Sequence, residues 1–182
     1  MELEIVKFLN HLWNWTFFDK IMEFISWKHF MLVFFVILIW ILIRKNKKQR
    51  KKIFISFVVA IWLFFLISEL FFKDFLVDQI WIRPRPYISS TEIKPIWTQY
   101  SDSSFPSSHM TSTLAVLTVL VIFRTWSWSF ALAFALLMAL SRMHNGMHYP
   151  SDVLAWSVIW ILCWILWTIT WKKIEKIKIF SK

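Results

Sequence analysis

The segment SRMHNGMHYPSD, residues 141 to 152, holds Arg142, His144, His148, Asp152 and Gly146, the only glycine in 182 residues. His148 and Asp152 are four residues apart, so the first turn of a helix would put them on one face. A carboxylate that accepts the hydrogen bond from one imidazole nitrogen fixes the tautomer and leaves the other nitrogen basic. That is the arrangement of a histidine nucleophile or base. His109, in SSFPSSH (103 to 109), stands alone at the start of another apolar run, placed to give a proton on the far side of a substrate. Arg83 and Arg85, in WIRPRPY (81 to 87), and Arg142 present planar forks suited to phosphate or carboxylate oxygens. Pro106 and Pro150 each precede an apolar run, where a proline is tolerated in the first helical turn. Two helix N-termini, with Ser107 and Ser108 as hydroxyl donors, would then open onto one anion-binding pocket.

Plainer readings exist for each of these residues. An arginine can pair with Asp78, Asp102 or Asp152, a serine beside a helix start can simply cap it, and a lone histidine can be interfacial. His144, His148 and Asp152, spaced i, i+4, i+8, could ligate zinc on an unbroken helix, but Gly146 and Pro150 argue against one. His144 is therefore expected to be a local loop residue, and no metal is expected. A transporter would carry ionisable residues at mid-bilayer in broken helices; here only Glu69 lies inside an apolar run. A serine protease built on Ser107 or Ser108 would need glycines that the chain lacks.

The elements that must position these groups are apolar helices. The chain is 58% hydrophobic with 19 Phe and 14 Trp, far above an ordinary soluble domain. Runs at 53–72, 106–123 and 152–171 approach the roughly 20 residues that cross a bilayer as helix. Shorter runs at 30–43 and 128–140 can be lengthened by their flanks. Ile5, Phe8, Leu9, Leu12 and Trp13 recur at helical spacing in an N-terminal segment (2 to 26) that lacks the features of a signal peptide. The expected fold class is all-α: a polytopic integral membrane helical bundle of five clear spans plus an N-terminal amphipathic or sixth helix, in one domain over 1–182. Cys163, alone in the last run, gives no disulfide framework. The stripe Trp160, Trp164, Trp167 and Trp171 reads as lipid contact or helix packing.

The net charge of +10 is concentrated rather than spread, which argues against a nucleic-acid partner. RKNKKQRKK (44 to 52) carries seven positive charges and no acid, and the tail from Lys172 to Lys182 carries five lysines against Glu175. Both abut apolar runs, so the positive-inside rule puts both in the cytoplasm. The three polar islands then fall together at the outer face.

These motifs resemble the type 2 phosphatidic acid phosphatase superfamily, the membrane lipid phosphate phosphatases, whose pattern is K-x6-R-P, P-S-G-H and S-R-x5-H-x3-D. The third motif is complete from Ser141 and Arg142 to His148 and Asp152, and the second reads Pro106-Ser107-Ser108-His109, with serine for glycine. The first keeps Arg85-Pro86 but has Asp78 at the lysine position; Arg83 is the expected substitute, with Lys73 and Lys94 as weaker candidates. The resemblance implies that His148 attacks phosphorus, Asp152 orients it and His109 protonates the leaving oxygen. It further implies that Arg85, Arg142, Ser107 and the Ser108 amide hold the phosphoryl oxygens without cofactor. The short layout and the RPRP and SFPSxH forms look like bacterial undecaprenyl diphosphate phosphatases of the bacitracin-resistance type. Lipid A 1-phosphatases and phosphatidylglycerophosphate phosphatases share the pattern. The implied partner is a membrane lipid with a phosphate or diphosphate headgroup, and the implied location a bacterial cytoplasmic membrane with the site facing the periplasm or exterior.

Overall fold

The computed structural model describes residues 1–12, 16–68, 70–71, 82–96, 99–100, 102–123, 128–155 and 157–158. Glu69, Lys73, Asp78, Trp81, Trp97, the turn at 124–127, Cys163, the tryptophans from Trp160 to Trp171 and the basic tail lie outside the described residues. Those described are helical or irregular, in agreement with the all-α expectation. The longer elements are α1 (Glu2–His11), α2 (Thr16–Ile25), α3 (Lys28–Lys45) and α4 (Arg50–Phe64). After them come the short α5 (Pro86–Ser89), then α6 (Ser108–Ile122), α7 (Trp128–His144) and a last helix, α8, that starts at Pro150 and is described to residue 158.

The helix that is long and apolar enough to cross a membrane by itself runs from Lys47 to Ser68. Its 22 residues reach about 33 Å at the usual helical rise, against a hydrocarbon core of about 30 Å. α2 and α3 pass the same test as a pair bent by 58°. α6 and α7, with 15 and 17 residues, are shorter than a full span. The expected count of five or six spans is thus not reached by the described helices. Leu32, Val36, Ile37 and Trp40 on α3 and Phe54, Val58 and Trp62 on α4 are exposed. Apolar side chains directed away from the bundle in such number suit a lipid solvent. Arg44 lies over the Trp40 ring at 5.0 Å, an interfacial pairing at the basic α3–α4 turn.

α6 is the buried centre: Met110, Val116, Leu117, Val119 and Leu120 meet Phe35, Leu38 and Leu42 of α3, Ile53 of α4, and Met138 and Ala139 of α7. It lies against α3, α4 and α7, while α1 and α2 pack on α7. α1 does not stand apart as a free interfacial helix. Val6 is fully buried with Ile93 and Tyr149, and the buried Asn10 donates to the carbonyls of Lys94 and His144. The face bearing Ile5 and Phe8 stays exposed.

Candidate active site

The site is built at the ends of α6, α7 and α8. α7 runs four residues beyond the end of its apolar run at 140 and stops in a Schellman turn: Gly146 N–H donates to the Met143 carbonyl at 2.9 Å and Met147 N–H to the Arg142 carbonyl at 3.1 Å. Gly146 has φ +69, and a Cβ there would lie 2.7 Å from Ile93 Cγ2. Only glycine fits both the left-handed backbone and the space. The reversal carries His148 back over the helix end, with Nε2 3.4 Å from Arg142 Nη2.

His148 Nδ1 lies 2.6 Å from the Ser104 carbonyl. A carbonyl only accepts, so Nδ1 carries the proton and Nε2 keeps its lone pair toward Arg142. The expected hydrogen bond to Asp152 is replaced by this one: Asp152 Oδ2 is 4.0 Å from Nδ1, beyond hydrogen-bond range. Burial, then the charges of Arg142 and Arg85, hold His148 well below the ordinary histidine range, so the ring is a neutral base.

Asp152 instead organises the start of α8. Its Oδ2 accepts from Tyr149 N–H at 2.8 Å, the reciprocal half of a capping box. Its Oδ1 takes Arg83 Nη1 at 2.5 Å. Arg83 also donates to Ser151 Oγ and, through Nη2, to Glu2 Oε2 at 2.6 Å, and it covers the Tyr149 ring at 4.0 Å. Glu2 Oε1 accepts from Ser151 N–H at 2.9 Å. Burial works against the Glu2 carboxylate, but the bonds from Ser151 and Arg83 prevail and lower its pKa. Arg83, expected in place of the missing lysine at the phosphate, has its guanidinium engaged by two carboxylates and a hydroxyl.

Arg142 has the opposite surroundings. It is 3% exposed, and its Nε and Nη1 have no hydrogen-bond partner among the described residues. The same holds for the fully buried Ser107 Oγ. Ser107 is the N-cap of α6 yet makes no side-chain capping bond, so the plain reading of a capping serine does not account for it. Ser108 opens the helix itself. Pro106 lies two residues before the first helical residue rather than in the first turn, whereas Pro150 occupies that position in α8. Unsatisfied donors on a buried cation are costly, and an anion is the group that would satisfy them.

Arg85 is held by Asp102, through Nε at 3.1 Å and Nη2 at 2.6 Å, and by the Met147 carbonyl at 3.1 Å. His109 Nε2 meets the Ser26 carbonyl at 3.0 Å, so this nitrogen carries a proton and Nδ1 is the one left for transfer. His144 is a helical residue, not a loop residue. Its ring nitrogens meet the Leu9 carbonyl at 2.8 Å and Asp19 at 2.9 Å, turned away from the zinc arrangement with His148 and Asp152. Lys94 is engaged through its backbone by Asn10.

Sequence reasoning missed Ser104, Ser26, Glu2 and Asn10. The first two act through carbonyls, which every residue possesses. The others lie more than 80 residues from their partners. Next to the site, an apolar groove of about 590 Å³ runs between α6, α7 and α8, from Met110, Met143 and Pro150 to Val121 and Trp128.

This arrangement has relatives. Residues 67–176 match the PAP2 superfamily model. Undecaprenyl-diphosphatase BcrC of Bacillus subtilis (strain 168) is 29% identical over 156 residues, 85% of this chain and 76% of that protein. An undecaprenyl-diphosphatase of Sulfolobus acidocaldarius is 30% identical over 113 residues, 59% of this chain and half of the relative. The crystal structure of Aquifex aeolicus LpxE has the same fold, with a TM-score of 0.65 at 22% identity, covering 91% of this chain and 93% of that one. With its family match extending over more than half its length, the chain belongs to the PAP2 superfamily of phosphatases.

Proposed function

We propose that this membrane phosphatase hydrolyses a lipid diphosphate, undecaprenyl diphosphate first among candidates, through a phosphohistidine on His148. The observation that carries the reading is the incomplete fork of Arg142 beside His148 Nε2. Nε2 attacks phosphorus and the bond to the leaving oxygen breaks, while His109, protonated at both ring nitrogens once the anionic headgroup is bound, gives that oxygen the proton on Nδ1 and keeps the one that Nε2 donates to the Ser26 carbonyl. Water then attacks phosphorus, His109 takes its proton, the P–N bond breaks and inorganic phosphate leaves. Arg142, Ser107 Oγ and the Ser108 amide hold the phosphoryl oxygens, and Arg85 joins them by exchanging Asp102 for the substrate. Asp152 and Arg83 act as positioning residues: they fix the start of α8 and so the loop bearing His148. No step needs a metal. The groove from Met110 to Trp128 supports a lipid, because it would take an apolar tail while the headgroup sits at Arg142. The reading sets the site at the outer face of a bacterial cytoplasmic membrane, with the basic α3–α4 turn and the C-terminal tail in the cytoplasm.

The test is phosphate release by purified protein in detergent with EDTA, on undecaprenyl diphosphate, lipid A, phosphatidylglycerophosphate and phosphatidic acid. Turnover greatest on undecaprenyl diphosphate, and abolished in His148→Ala, is the expected result. A different leading lipid would replace the substrate, and full activity in the variant would remove the phosphohistidine.

A further inference from the structure

α3 begins with a charge that its own helix disfavours. Lys28 is the first helical residue, and no acidic side chain lies in that turn. A cation at a helix N-terminus opposes the macrodipole, and among the described residues no carboxylate pairs with this one. Local rules broken without compensation are found at functional sites.

The position of Lys28 indicates what the charge serves. The Ser26 carbonyl that holds His109 Nε2 at 3.0 Å is two residues away, at the bend between α2 and α3. Lys28 Nζ lies 6.0 Å from the centroid of the Tyr100 ring, and the Arg85 guanidinium lies 5.6 Å from the same centroid. Tyr100 is fixed in turn, its N–H donating to Tyr87 Oη at 2.8 Å. One aromatic ring therefore gathers two cations by its quadrupole, one from the phosphoryl clamp and one from the element that holds the proton donor. Lys28 is exposed, on a flexible stem able to follow a ligand.

We propose that Lys28 binds the second phosphate of a lipid diphosphate, the one that stays with the lipid when the terminal phosphoryl group moves to His148. This rests on the phosphatase reading above and adds the residue that separates diphosphate from monophosphate substrates. Negative charge grows on the leaving phosphate as the bridging P–O bond breaks, and Lys28 starts the helix two residues after the Ser26 carbonyl that holds His109. A monophosphate ester carries no second phosphate for Lys28 to meet.

Wild type, Lys28→Gln and Lys28→Arg are compared by kcat/KM on undecaprenyl diphosphate and undecaprenyl phosphate, with Lys48→Gln at the α3–α4 turn as control. Calorimetry measures the binding of inorganic diphosphate and inorganic phosphate to the same proteins. Loss of one charge-assisted contact is expected to lower the diphosphate-to-monophosphate preference about tenfold in Lys28→Gln. Binding should follow the same ratio, and Lys28→Arg should restore most of it. Equal losses on both substrates and both anions would overturn the proposal. If wild type hydrolyses no lipid diphosphate, the substrate reading fails, while calorimetry still decides whether Lys28 recognises a second phosphate.

Discussion

Two arginines, Arg142 and Arg83, lie on either side of the loop that carries His148, and their surroundings are opposite. Arg83 is surrounded by Asp152, Glu2 and Ser151 and stacked on Tyr149. Arg142 is more deeply buried, touches His148, and leaves Nε and Nη1 without partners among the described residues. A guanidinium held by two carboxylates has its charge already answered by the protein. An unsaturated one raises the free energy of the folded chain until an anion arrives. The motifs contain Arg142, and Arg83 is the expected substitute for their missing lysine; the pattern of unmet donors separates them.

Opposite effects on activity and stability would sharpen this contrast most. Arg142→Met should lower kcat/KM by about 10³ and leave the protein as stable or about 1 kcal/mol more stable, because an uncompensated buried charge is removed. Arg83→Met should cost about 3 kcal/mol of stability, by leaving Asp152 buried without its cation, with a smaller loss of activity, mostly in kcat. Denaturation midpoints and kinetics on the same detergent-solubilised preparations decide it. Destabilisation by both variants would break the distinction.

The same contrast predicts a dependence on pH. The unfolded His148 takes up a proton below about 6.5, whereas the folded ring, lowered by burial and by Arg142 and Arg85, stays neutral. The unfolded state then binds more protons, so stability attributable to this group is constant above that pH and falls as pH drops below it. Removing the Arg142 charge lessens the depression. Arg142→Met should flatten this acid loss and move the acid limb of kcat/KM upward, toward the ordinary histidine value. An unmoved limb would mean that Arg142 does not act on His148.

The ends of α7 and α8 extend the comparison to the backbone. Gly146→Ala places a Cβ against Ile93 at a left-handed residue and should cost about 1 to 3 kcal/mol, with activity falling as His148 shifts. Thermal unfolding of the variant measures it; a wild-type midpoint would show that the turn relaxes freely.

The legibility of these regions was uneven for a physical reason. His148, Arg142, Arg85 and the α8 start at Pro150 could be read because their side chains are rare in so apolar a chain and stand at fixed spacing. The hydrogen bond from His148 to Ser104 could not, because the acceptor is a peptide group. Asp152 was placed beside His148 on spacing alone, and the four-residue separation does bring them near, at 4.0 Å. Spacing says nothing of competitors, and the Tyr149 amide and Arg83 take the carboxylate oxygens. The all-helical class followed from the length of the apolar runs. Their number as spans is not confirmed by the described helices, of which α6 and α7, with 15 and 17 residues, are each shorter than a full span.

The smallest expected effect tests how far the scaffold around Arg83 reaches. Glu2 comes from the N-terminal helix, yet it accepts from both Arg83 and the Ser151 amide at the α8 start. Its side chain is 38% exposed, so solvent screens the pair and its share of stability should be about 0.5 kcal/mol. The effect on catalysis is indirect: without Glu2, Arg83 has greater freedom, Asp152 follows it, and the loop bearing His148 loses definition. Glu2→Ala should therefore lower kcat about threefold and leave KM near wild type. In a double-mutant cycle with Arg83→Ala, the two losses should not add, because both remove the same link. Fully additive losses would show that α1 stabilises the fold independently of Arg83, and the saturated arginine would then end at Asp152 rather than extend to the first turn of the chain.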